Sequence, residues 1–202
     1  QQWGMAAGDV DNDGHKDFFS GGSNDGVHFL RMSGRGAGTW STLNNGSMFM
    51  QCANMADINN DGWLDIYVSA SFRKDARLRT NMLYINQGPG KDGIPTFKES
   101  AVAYGIADTG FSTQGGVFDY DHDGDLDLYI VTNQINDPRT PIRFRPKLTD
   151  GSTLNNDRLY RNNGNGTFTN VTKEAGILIE GWGHAGCISD FNGDGWPDIY
   201  VA

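Results

Sequence analysis

Four segments of the chain repeat the pattern Asp-x-Asp/Asn-x-Asp-Gly-x-x-Asp. They are loop 1 (residues 9–17, DVDNDGHKD), loop 2 (57–65, DINNDGWLD), loop 3 (119–127, DYDHDGDLD) and loop 4 (190–198, DFNGDGWPD). A calcium ion takes roughly six to eight oxygen ligands at about 2.3–2.6 Å, and alternate residues of a tightly curled loop can direct their oxygens to one point. The spacing therefore predicts one calcium ion (Ca²⁺) in each loop, about four ions in all.

The pattern assigns a role to each loop position. Positions one, three, five and nine are expected to offer side-chain oxygens, and position seven a backbone carbonyl. The glycine at position six suits a backbone conformation that a side chain disfavours. The predicted metal ligands are Asp9, Asp11, Asp13, His15 and Asp17 in loop 1; Asp57, Asn59, Asp61, Trp63 and Asp65 in loop 2; Asp119, Asp121, Asp123, Asp125 and Asp127 in loop 3; and Asp190, Asn192, Asp194, Trp196 and Asp198 in loop 4.

The EF-hand shares the opening of this pattern but needs a glutamate at position twelve and a helix on either side. Position twelve is Ser20, Val68, Ile130 or Val201 in the four loops. The segments that follow position nine are short and rich in β-branched and aromatic residues, which is typical of buried strands. The sequence therefore excludes EF-hands and predicts strand–loop–strand units.

The composition agrees with a turn-rich β protein that binds cations. The 202 residues include 28 glycines, and the formal net charge is −9. Fourteen of the 25 acidic residues lie at side-chain ligand positions, so four Ca²⁺ ions would leave a net charge of about −1. The acidity therefore does not predict a surface for a basic partner.

A longer repeat surrounds the loops. NMLYINQ from Asn81 corresponds to DRLYRNN from Asp157, and TFKESAVAYGI from Thr96 corresponds to TFTNVTKEAGI from Thr167. Each unit predicts four short strands: A before the loop, B after it, C around Leu-Tyr and D around Thr-Phe. We predict an all-β propeller arc of about three and a half four-stranded blades, with boundaries near residues 1–46, 47–109, 110–180 and 181–202.

The segments LYRNNGNGTFTNVTKEAGI and GWGHAGCISDFNGDGWPDIYVA resemble the FG-GAP/VCBS repeat family, which includes the integrin α head. They look most similar to its cartilage-acidic-protein (ASPIC/UnbV-associated) branch. The resemblance covers nearly the whole chain. It implies a seven-bladed propeller, an extracellular or cell-surface location, bound calcium, and a role in adhesion or in binding a protein or glycan. It implies no catalytic residue.

An arc of this size leaves unpaired sheet edges. Two explanations stay open: the chain is part of a larger propeller, or another chain completes it by association. The second would make the protein a subunit of an extracellular structural assembly.

The two long connections between strands B and C are basic. Residues 71–80 and 137–149 contain half of the 16 lysines and arginines, and strand order puts both on the face opposite the cation loops. Long loops on a rigid scaffold are common binding sites. The predicted partner-binding residues are Arg73, Lys74, Arg77, Arg79, Arg139, Arg143, Arg145 and Lys147, and the alternative is that both loops are only solvated.

Other functions are disfavoured. The sequence shows no nucleophile–base pairing, no Gly-x-Ser-x-Gly motif and no His/Glu metal site, so a polysaccharide-active enzyme is a weaker alternative. No nucleic-acid-binding motif or membrane-spanning apolar segment is present.

Two residue types outside the side-chain ligands also give expectations. Trp63 and Trp196 are predicted to pack over their loops in preference to stacking on a sugar. Cys52 and Cys187 belong to strands A of different blades, too far apart for the Cα separation of about 7 Å that limits a disulfide.

Overall fold

The computed structural model describes residues 2–22, 27–32, 38–44, 49–133 and 146–202. Their regular structure is almost entirely strand, apart from a 3₁₀ turn at Ala76–Leu78 and one helical turn, α1, at Ala101–Tyr104. The all-β prediction is confirmed. The strands are β1 (Gln2–Gly8), β2 (Asp17–Gly22), β3 (Val27–Arg31), β4 (Thr39–Asn44), β5 (Phe49–Ala56), β6 (Asp65–Ser71), β7 (Met82–Pro89), β8 (Pro95–Glu99), β9 (Ser112–Phe118), β10 (Asp127–Thr132), β11 (Arg158–Asn162), β12 (Phe168–Asn170), β13 (Gly186–Ser189) and β14 (Asp198–Val201).

The strands form four antiparallel sheets in chain order. Sheet 1 contains β1 to β4, sheet 2 contains β5 to β8, sheet 3 contains β9 to β12, and sheet 4 contains β13 and β14. In each four-stranded sheet, strands that are consecutive in the chain are also adjacent in the sheet, which is the up-and-down order of a propeller blade. The sheets are therefore blade-like, as the repeat predicted.

Neighbouring sheets pack face to face through the second strand of each sheet. Ile66 and Val68 of β6 lie in a cluster with Phe19 of sheet 1, whereas Tyr67 lies in a cluster with Leu128 of sheet 3. Alternate side chains of a strand point to opposite faces, so β6 contributes to both clusters. All residues of β6 and β10 are buried. This confirms that strand B is packed on both faces in the two inner sheets.

A third cluster joins sheet 3 to sheet 4. Tyr129 and Val131 of β10 pack there with Ile188, Ile199 and Val201. The four sheets thus stack as an arc in which each buries the face of the one before it.

The first strands of successive sheets lie beside one another, β5 against β1, β9 against β5 and β13 against β9. Small residues permit this approach, because a Cβ on Gly115 of β9 would lie 3.2 Å from Asn54 Nδ2 of β5. Cys52 of β5 and Cys187 of β13 have β9 between them and are both free thiols, as predicted.

Each cation loop closes the hairpin between the first and second strands of its sheet. Position nine is the first residue of the second strand and pairs with the residue before position one, as in Gly8 with Asp17 and Ala56 with Asp65. The pairs Phe118 with Asp127 and Ser189 with Asp198 repeat this register. Among the described residues, no helix is long and apolar enough to span a bilayer.

Candidate metal-binding loops

The position-one carboxylate closes each loop on itself. In loop 1 the Asp9 side chain accepts hydrogen bonds from the backbone N–H groups of Asp13 (3.1 Å) and Gly14 (2.8 Å). The same two bonds recur at Asp57, Asp119 and Asp190 in the other loops. These bonds curl the backbone around the carboxylate, which is the shape that the ligand spacing requires.

The position-nine carboxylate joins the loop to the sheet beneath it. In loop 2, Asp65 Oδ2 accepts from the N–H of Ile58 (3.0 Å) at position two, and Oδ1 accepts from the N–H of Asn86 (2.8 Å) in β7. Asp17 and Asp127 make the equivalent pairs of bonds, and Asp198 makes the bond to position two. Position nine therefore belongs to both the loop and the sheet.

Burial makes three of the position-nine carboxylates, those of loops 1, 2 and 3, harder to ionise. Asp17, Asp65 and Asp127 are fully buried, and desolvation raises the pKa of Asp65 to about 7 and that of Asp127 to about 6. The nearby acidic residues of each loop raise these pKa values further, whereas the backbone N–H donors lower them. A cation beside such a carboxylate favours its charged form and so opposes the effect of burial.

Two positions in every loop have left-handed backbone. The position-six glycines have φ values between 87° and 92°, and an added Cβ would meet nothing within 4 Å. Conformation, and not space, requires glycine there. Position four is also left-handed, with Asn12 at 56°, Asn60 at 57°, His122 at 62° and Gly193 at 78°. The left-handed backbone at position four was not predicted from the sequence, although Asn, His and Gly are residue types enriched in this conformation.

The carboxylates of positions one, three and nine converge in loops 1 and 3. Ligand oxygens of Asp9, Asp11 and Asp17 lie within 4.8 Å of one another, and so do those of the loop 3 residues Asp119, Asp121 and Asp127. Three carboxylates at these distances repel one another unless a cation neutralises them. Hard oxygen donors of this kind are the ligands that Ca²⁺ prefers.

One oxygen of loop 3 has no hydrogen-bond partner. Asp121 Oδ1 is buried from solvent and accepts from no donor of the described residues. A buried carboxylate oxygen without a donor is unfavourable, because it loses its hydration without replacement. A calcium ion would supply the missing positive charge, so the residues of loop 3 fit this ion.

Loops 2 and 4 use asparagine at position three. The amide of Asn59 donates to Asp61 Oδ2 (2.9 Å), and the amide of Asn192 donates to Asp194 Oδ2 (3.0 Å). The amide oxygens accept from the position-five N–H in both loops, at 3.2 Å and 2.9 Å. Asparagine thus keeps the loop shape with one carboxylate fewer.

Position five orients position seven. In each loop the position-five carboxylate accepts a 2.9 Å hydrogen bond from the position-seven N–H, which belongs to His15, Trp63, Asp125 or Trp196. The position-five carboxylates lie outside the two converging groups. Their part in binding a cation, and that of the position-seven carbonyls, stays a prediction.

Loop 1 already has a positive charge within it. Arg31, the last residue of β3, pairs with Asp11 (Nε to Oδ2, 2.5 Å) and with Asp13 (Nη2 to Oδ2, 3.4 Å). The Asp11 side chain is only 3% exposed. The hydrogen bond to Asp11 raises the pKa of the arginine above its usual value, so the guanidinium stays charged. No feature of the sequence pattern predicts this contact.

Two buried asparagines were also missed. Asn86 Nδ2 donates to the carbonyls of Leu64 in its own sheet's loop and of Val10 in the preceding loop, at 3.1 Å and 2.8 Å. Asn162 makes the equivalent bonds to Leu126 and Ile58. The matching repeat text contained both asparagines, in INQ and RNN, but gave no reason to connect them with the preceding loop.

The two loop tryptophans pack against neighbouring segments. Trp63 lies 3.6 Å from the position that a Cβ of Gly88 would occupy, near the end of β7. Trp196 stacks on the His122 ring of loop 3, with ring centroids 4.3 Å apart and planes inclined by 7°.

The basic connection of sheet 2 is partly internal. Arg79 is 6% exposed, donates to the carbonyls of Arg73, Lys74 and Thr109, and lies over the Phe111 ring. The prediction that Arg79 binds a partner is therefore wrong, because its buried guanidinium is already bound to backbone carbonyls and to the Phe111 ring of the protein itself. Arg77 is exposed and pairs with Asp75 at 2.6 Å.

The remaining predicted partner-binding residues divide into two groups. Lys74 and Lys147 are exposed and Arg73 is half-buried. Arg139, Arg143 and Arg145 lie outside the described residues.

Comparison with known families gives one match. The model of the FG-GAP-like repeat matches residues 9–68 and 148–201, which together are more than half of the chain. The matched ranges include loops 1, 2 and 4, and loop 3 shows the same hydrogen bonds without being matched. No curated protein matches the chain significantly.

Proposed function

Because the chain belongs to the FG-GAP-like repeat family, we propose that it is a calcium-binding β-propeller module that acts outside the cell and binds a protein or glycan ligand. The module has no catalytic activity of its own. Its calcium ions are structural, one in each cation loop, and each sheet is one blade with the boundaries given above.

The observation that supports calcium most directly is the orphaned oxygen of loop 3. Asp121 Oδ1 is buried without a donor beside two further carboxylates, those of Asp119 and Asp127. Side-chain oxygens of positions one, three, five and nine and the position-seven carbonyl would hold the ion. The bound ion supplies the positive charge that the acidic groups lack.

The structural role of calcium follows from position nine. Its carboxylate accepts a hydrogen bond from Asn86 or Asn162 in the third strand of the sheet, or from Met32 directly after the third strand. An ion held by positions one, three and nine would therefore join the hairpin loop to two strands of the blade. The extracellular location is proposed because calcium there is millimolar, which fills even weak loop sites.

Calorimetric titration of the calcium-free protein with calcium tests this proposal. About four ions should bind per chain, and magnesium should compete poorly because it requires tighter octahedral geometry. An ion present at ten times its dissociation constant stabilises the fold by about 1.4 kcal/mol. Four such ions should raise Tm by more than about 10 °C for a protein of this size. An unchanged Tm in calcium and in chelator would refute the proposal.

The ligand-binding face is proposed to be the one opposite the cation loops. After the correction at Arg79, its basic residues are Arg73, Lys74, Arg77, Arg139, Arg143, Arg145 and Lys147. Anionic glycans or carboxylate-bearing proteins suit this charge. Replacing Arg139, Arg143, Arg145 and Lys147 by serine should weaken binding to heparin-like polymers. Unchanged binding, with an unchanged Tm, would exclude this face.

A structural assembly is a second candidate. Tyr200 of β14 is 63% exposed and Phe191 of loop 4 is 58% exposed, so sheet 4 presents aromatic surface that another chain could cover. Sedimentation of the calcium-loaded protein separates the two functions, because an assembly subunit should form large regular polymers and a binding module should stay small.

A further inference from the structure

In loops 1, 2 and 3 the position-four side chain reaches toward the next loop. Asn12 of loop 1 donates from Nδ2 to the carbonyl of Gly62 in loop 2 (3.1 Å). Asn60 of loop 2 donates from Nδ2 to Asp125 Oδ1 in loop 3 (2.7 Å). His122 of loop 3 stacks on Trp196 in loop 4. Three consecutive pairs of loops are therefore linked in the same direction along the arc.

The left-handed backbone at position four gives these contacts their common direction. All three linking residues have φ between 56° and 62°. An ordinary right-handed or extended residue would point its side chain elsewhere. The fourth loop has a glycine at this position, Gly193, which keeps the left-handed backbone (φ 78°) without a linking side chain.

The contacts fall on one short part of the receiving loop. Gly62 is position six of loop 2, and Asp125 and Trp196 are position seven of loops 3 and 4. Position seven presents the backbone carbonyl that we assign to the calcium ion. The linking side chain thus fixes the segment whose carbonyl must be placed correctly in the next loop.

At the junction of loops 2 and 3, separate hydrogen bonds join the buried bases and the exposed parts of the two loops. A cavity of about 180 Å³ lies there, lined by Asn60, Asp125, Asn162 and Gly164 among others. Asn162 ties the buried base of loop 2 to sheet 3 through the Ile58 carbonyl. At this cavity, the hydrogen bond from Asn60 Nδ2 to Asp125 Oδ1 joins the exposed parts of the two loops.

We propose that the position-four residues Asn12, Asn60 and His122 couple the calcium affinities of neighbouring loops. The inference rests on the proposed calcium-binding function. Calcium that orders one loop also orders its position-four residue, which then holds position six or seven of the next loop. The next ion therefore meets a loop that has already lost part of its conformational freedom, and this gives positive cooperativity. Because coupling is reciprocal, filling the later loop also favours the earlier one.

The experiment is a calorimetric calcium titration of the wild-type chain and of variants at the loop 2–loop 3 contact. Asn60→Gly keeps the left-handed backbone, as Gly193 does naturally, and removes only the linking side chain. Asp125→Ala removes the acceptor and keeps the position-seven carbonyl. The wild type should show a Hill coefficient above one. Each variant should lower it and weaken the coupled sites about fivefold, the low end of typical coupling.

The double variant and a control make the test specific. Asn60→Gly combined with Asp125→Ala should weaken the coupled sites no further than either change alone, because both remove the same contact. Gly193→Asn is the matched control: it changes position four of loop 4 and leaves the hydrogen bond between Asn60 and Asp125 intact. The control should leave the Hill coefficient unchanged.

The outcomes separate this inference from the proposed function. All variants should still bind about four ions. If the Hill coefficient and the affinities of both variants equal those of the wild type while calcium still binds, the coupling is absent and the contact is only packing. If the wild type binds no calcium, the proposed function fails and the coupling fails with it.

Discussion

Loops 1 and 3 have the same four carboxylates at positions one, three, five and nine, but their surroundings differ. In loop 1 the position-three carboxylate of Asp11 is paired with Arg31 at 2.5 Å. In loop 3 the corresponding Asp121 has a buried oxygen that accepts from no donor of the described residues. Within the part of the chain that the structure describes, loop 1 has an internal counter-charge and loop 3 does not. Two loops with the same nine-residue pattern can therefore differ in how strongly their carboxylates attract a cation.

The consequence is a ranking of the two sites. Calcium entering loop 1 must displace the guanidinium of Arg31 from Asp11 and Asp13, whereas calcium entering loop 3 meets carboxylates that already repel one another. We expect loop 3 to bind calcium more tightly than loop 1. Loop 1 is correspondingly expected to keep its shape better without calcium.

The largest effect is expected when the position-one carboxylate is removed. Asp119→Ala and Asp9→Ala each lose two hydrogen bonds to backbone N–H groups, worth about 0.5–1.5 kcal/mol apiece. Asp119→Ala should in addition lose one tightly bound ion. An ion at a hundred times its dissociation constant contributes about 2.7 kcal/mol to stability.

Urea unfolding of both variants in chelator and in millimolar calcium checks this expectation. In chelator the two variants should be similarly destabilised. In calcium, Asp119→Ala should lose more stability than Asp9→Ala. Equal losses in calcium would show that the two loops bind the ion alike, and the ranking would be wrong.

Removing the internal counter-charge should make loop 1 behave more like loop 3. Arg31→Gln is expected to raise the calcium affinity of loop 1 about tenfold, which corresponds to about 1.4 kcal/mol. The same variant should be less stable in chelator, because Asp11 is left buried without its partner. Titration calorimetry and Tm in chelator measure the two effects.

Arg161→Gln is the matched control for this prediction. Arg161 and Arg31 occupy equivalent positions in their sheets. Each follows the residue that pairs with the first residue after position nine, which is Leu30 opposite Phe18 in sheet 1 and Tyr160 opposite Leu128 in sheet 3. Arg161 is exposed and has no ion pair with a described residue. Arg161→Gln should change neither the calcium affinity of loop 1 nor Tm in chelator. If it raised calcium affinity as much as Arg31→Gln does, the gain would come from the change in net charge and not from the lost ion pair.

A smaller change is expected from Asp121→Asn. The loop should keep its fold, because Asn59 and Asn192 occupy position three in loops 2 and 4 and accept the same position-five N–H. The loss of one carboxylate charge should weaken calcium binding at loop 3 about fivefold. Asp11→Asn in loop 1 should change calcium affinity less. The Asp11 charge attracts both the calcium ion and Arg31, so its loss weakens the binding of the ion and also the competing ion pair. A larger effect at Asp11 would reverse the comparison.

The smallest expected effect is on the pH dependence of stability and comes from Asp157, a buried carboxylate outside the loops. Its titration must be known before the stabilities of loop 1 and loop 3 variants are compared at different pH. Asp157 accepts hydrogen bonds from Thr132 N–H and the Tyr129 hydroxyl, both at 2.7 Å, and burial raises its pKa. With its pKa raised on folding, the folded state holds the proton more strongly, so stability falls as pH rises from about 4 through the folded pKa.

Asp157→Asn should remove this slope. Asn81 occupies the equivalent position in sheet 2 and donates to the Tyr67 hydroxyl at 2.9 Å, so the amide suits the site. Unfolding free energies of the wild type and the variant between about pH 4 and 8 should diverge as the pH rises, with the variant more stable. Parallel curves would show that Asp157 does not contribute to the pH dependence.

The hairpins and loops were predictable from sequence because their determinants are local. The spacing of the aspartates, the position-six glycine and the apolar run after position nine all lie within about a dozen residues. Strand alternation then placed residues such as Tyr67 and Leu128 in the clusters between sheets. The left-handed position four was also readable from the residue types Asn, Asn, His and Gly, but its conformation was not recognised.

The contacts between elements could not be predicted in this way. Arg31 meets Asp11 because β3 ends beside loop 1, yet Arg161 follows the same register and stays exposed. Arg79 was grouped with surface cations because its neighbours are basic, although three carbonyls and the Phe111 ring enclose it. These outcomes depend on the relative placement of segments that are distant in sequence.

The backbone amides of Met32, Asn86 and Asn162 each donate to the position-nine carboxylate of a different loop. Their rates of hydrogen–deuterium exchange therefore report on loops 1, 2 and 3 separately. An amide bonded to a carboxylate that is also held by an ion opens less often, so its exchange should slow as that loop fills. If the loops bind calcium as proposed, exchange at these three amides should show the order in which loops 1, 2 and 3 fill.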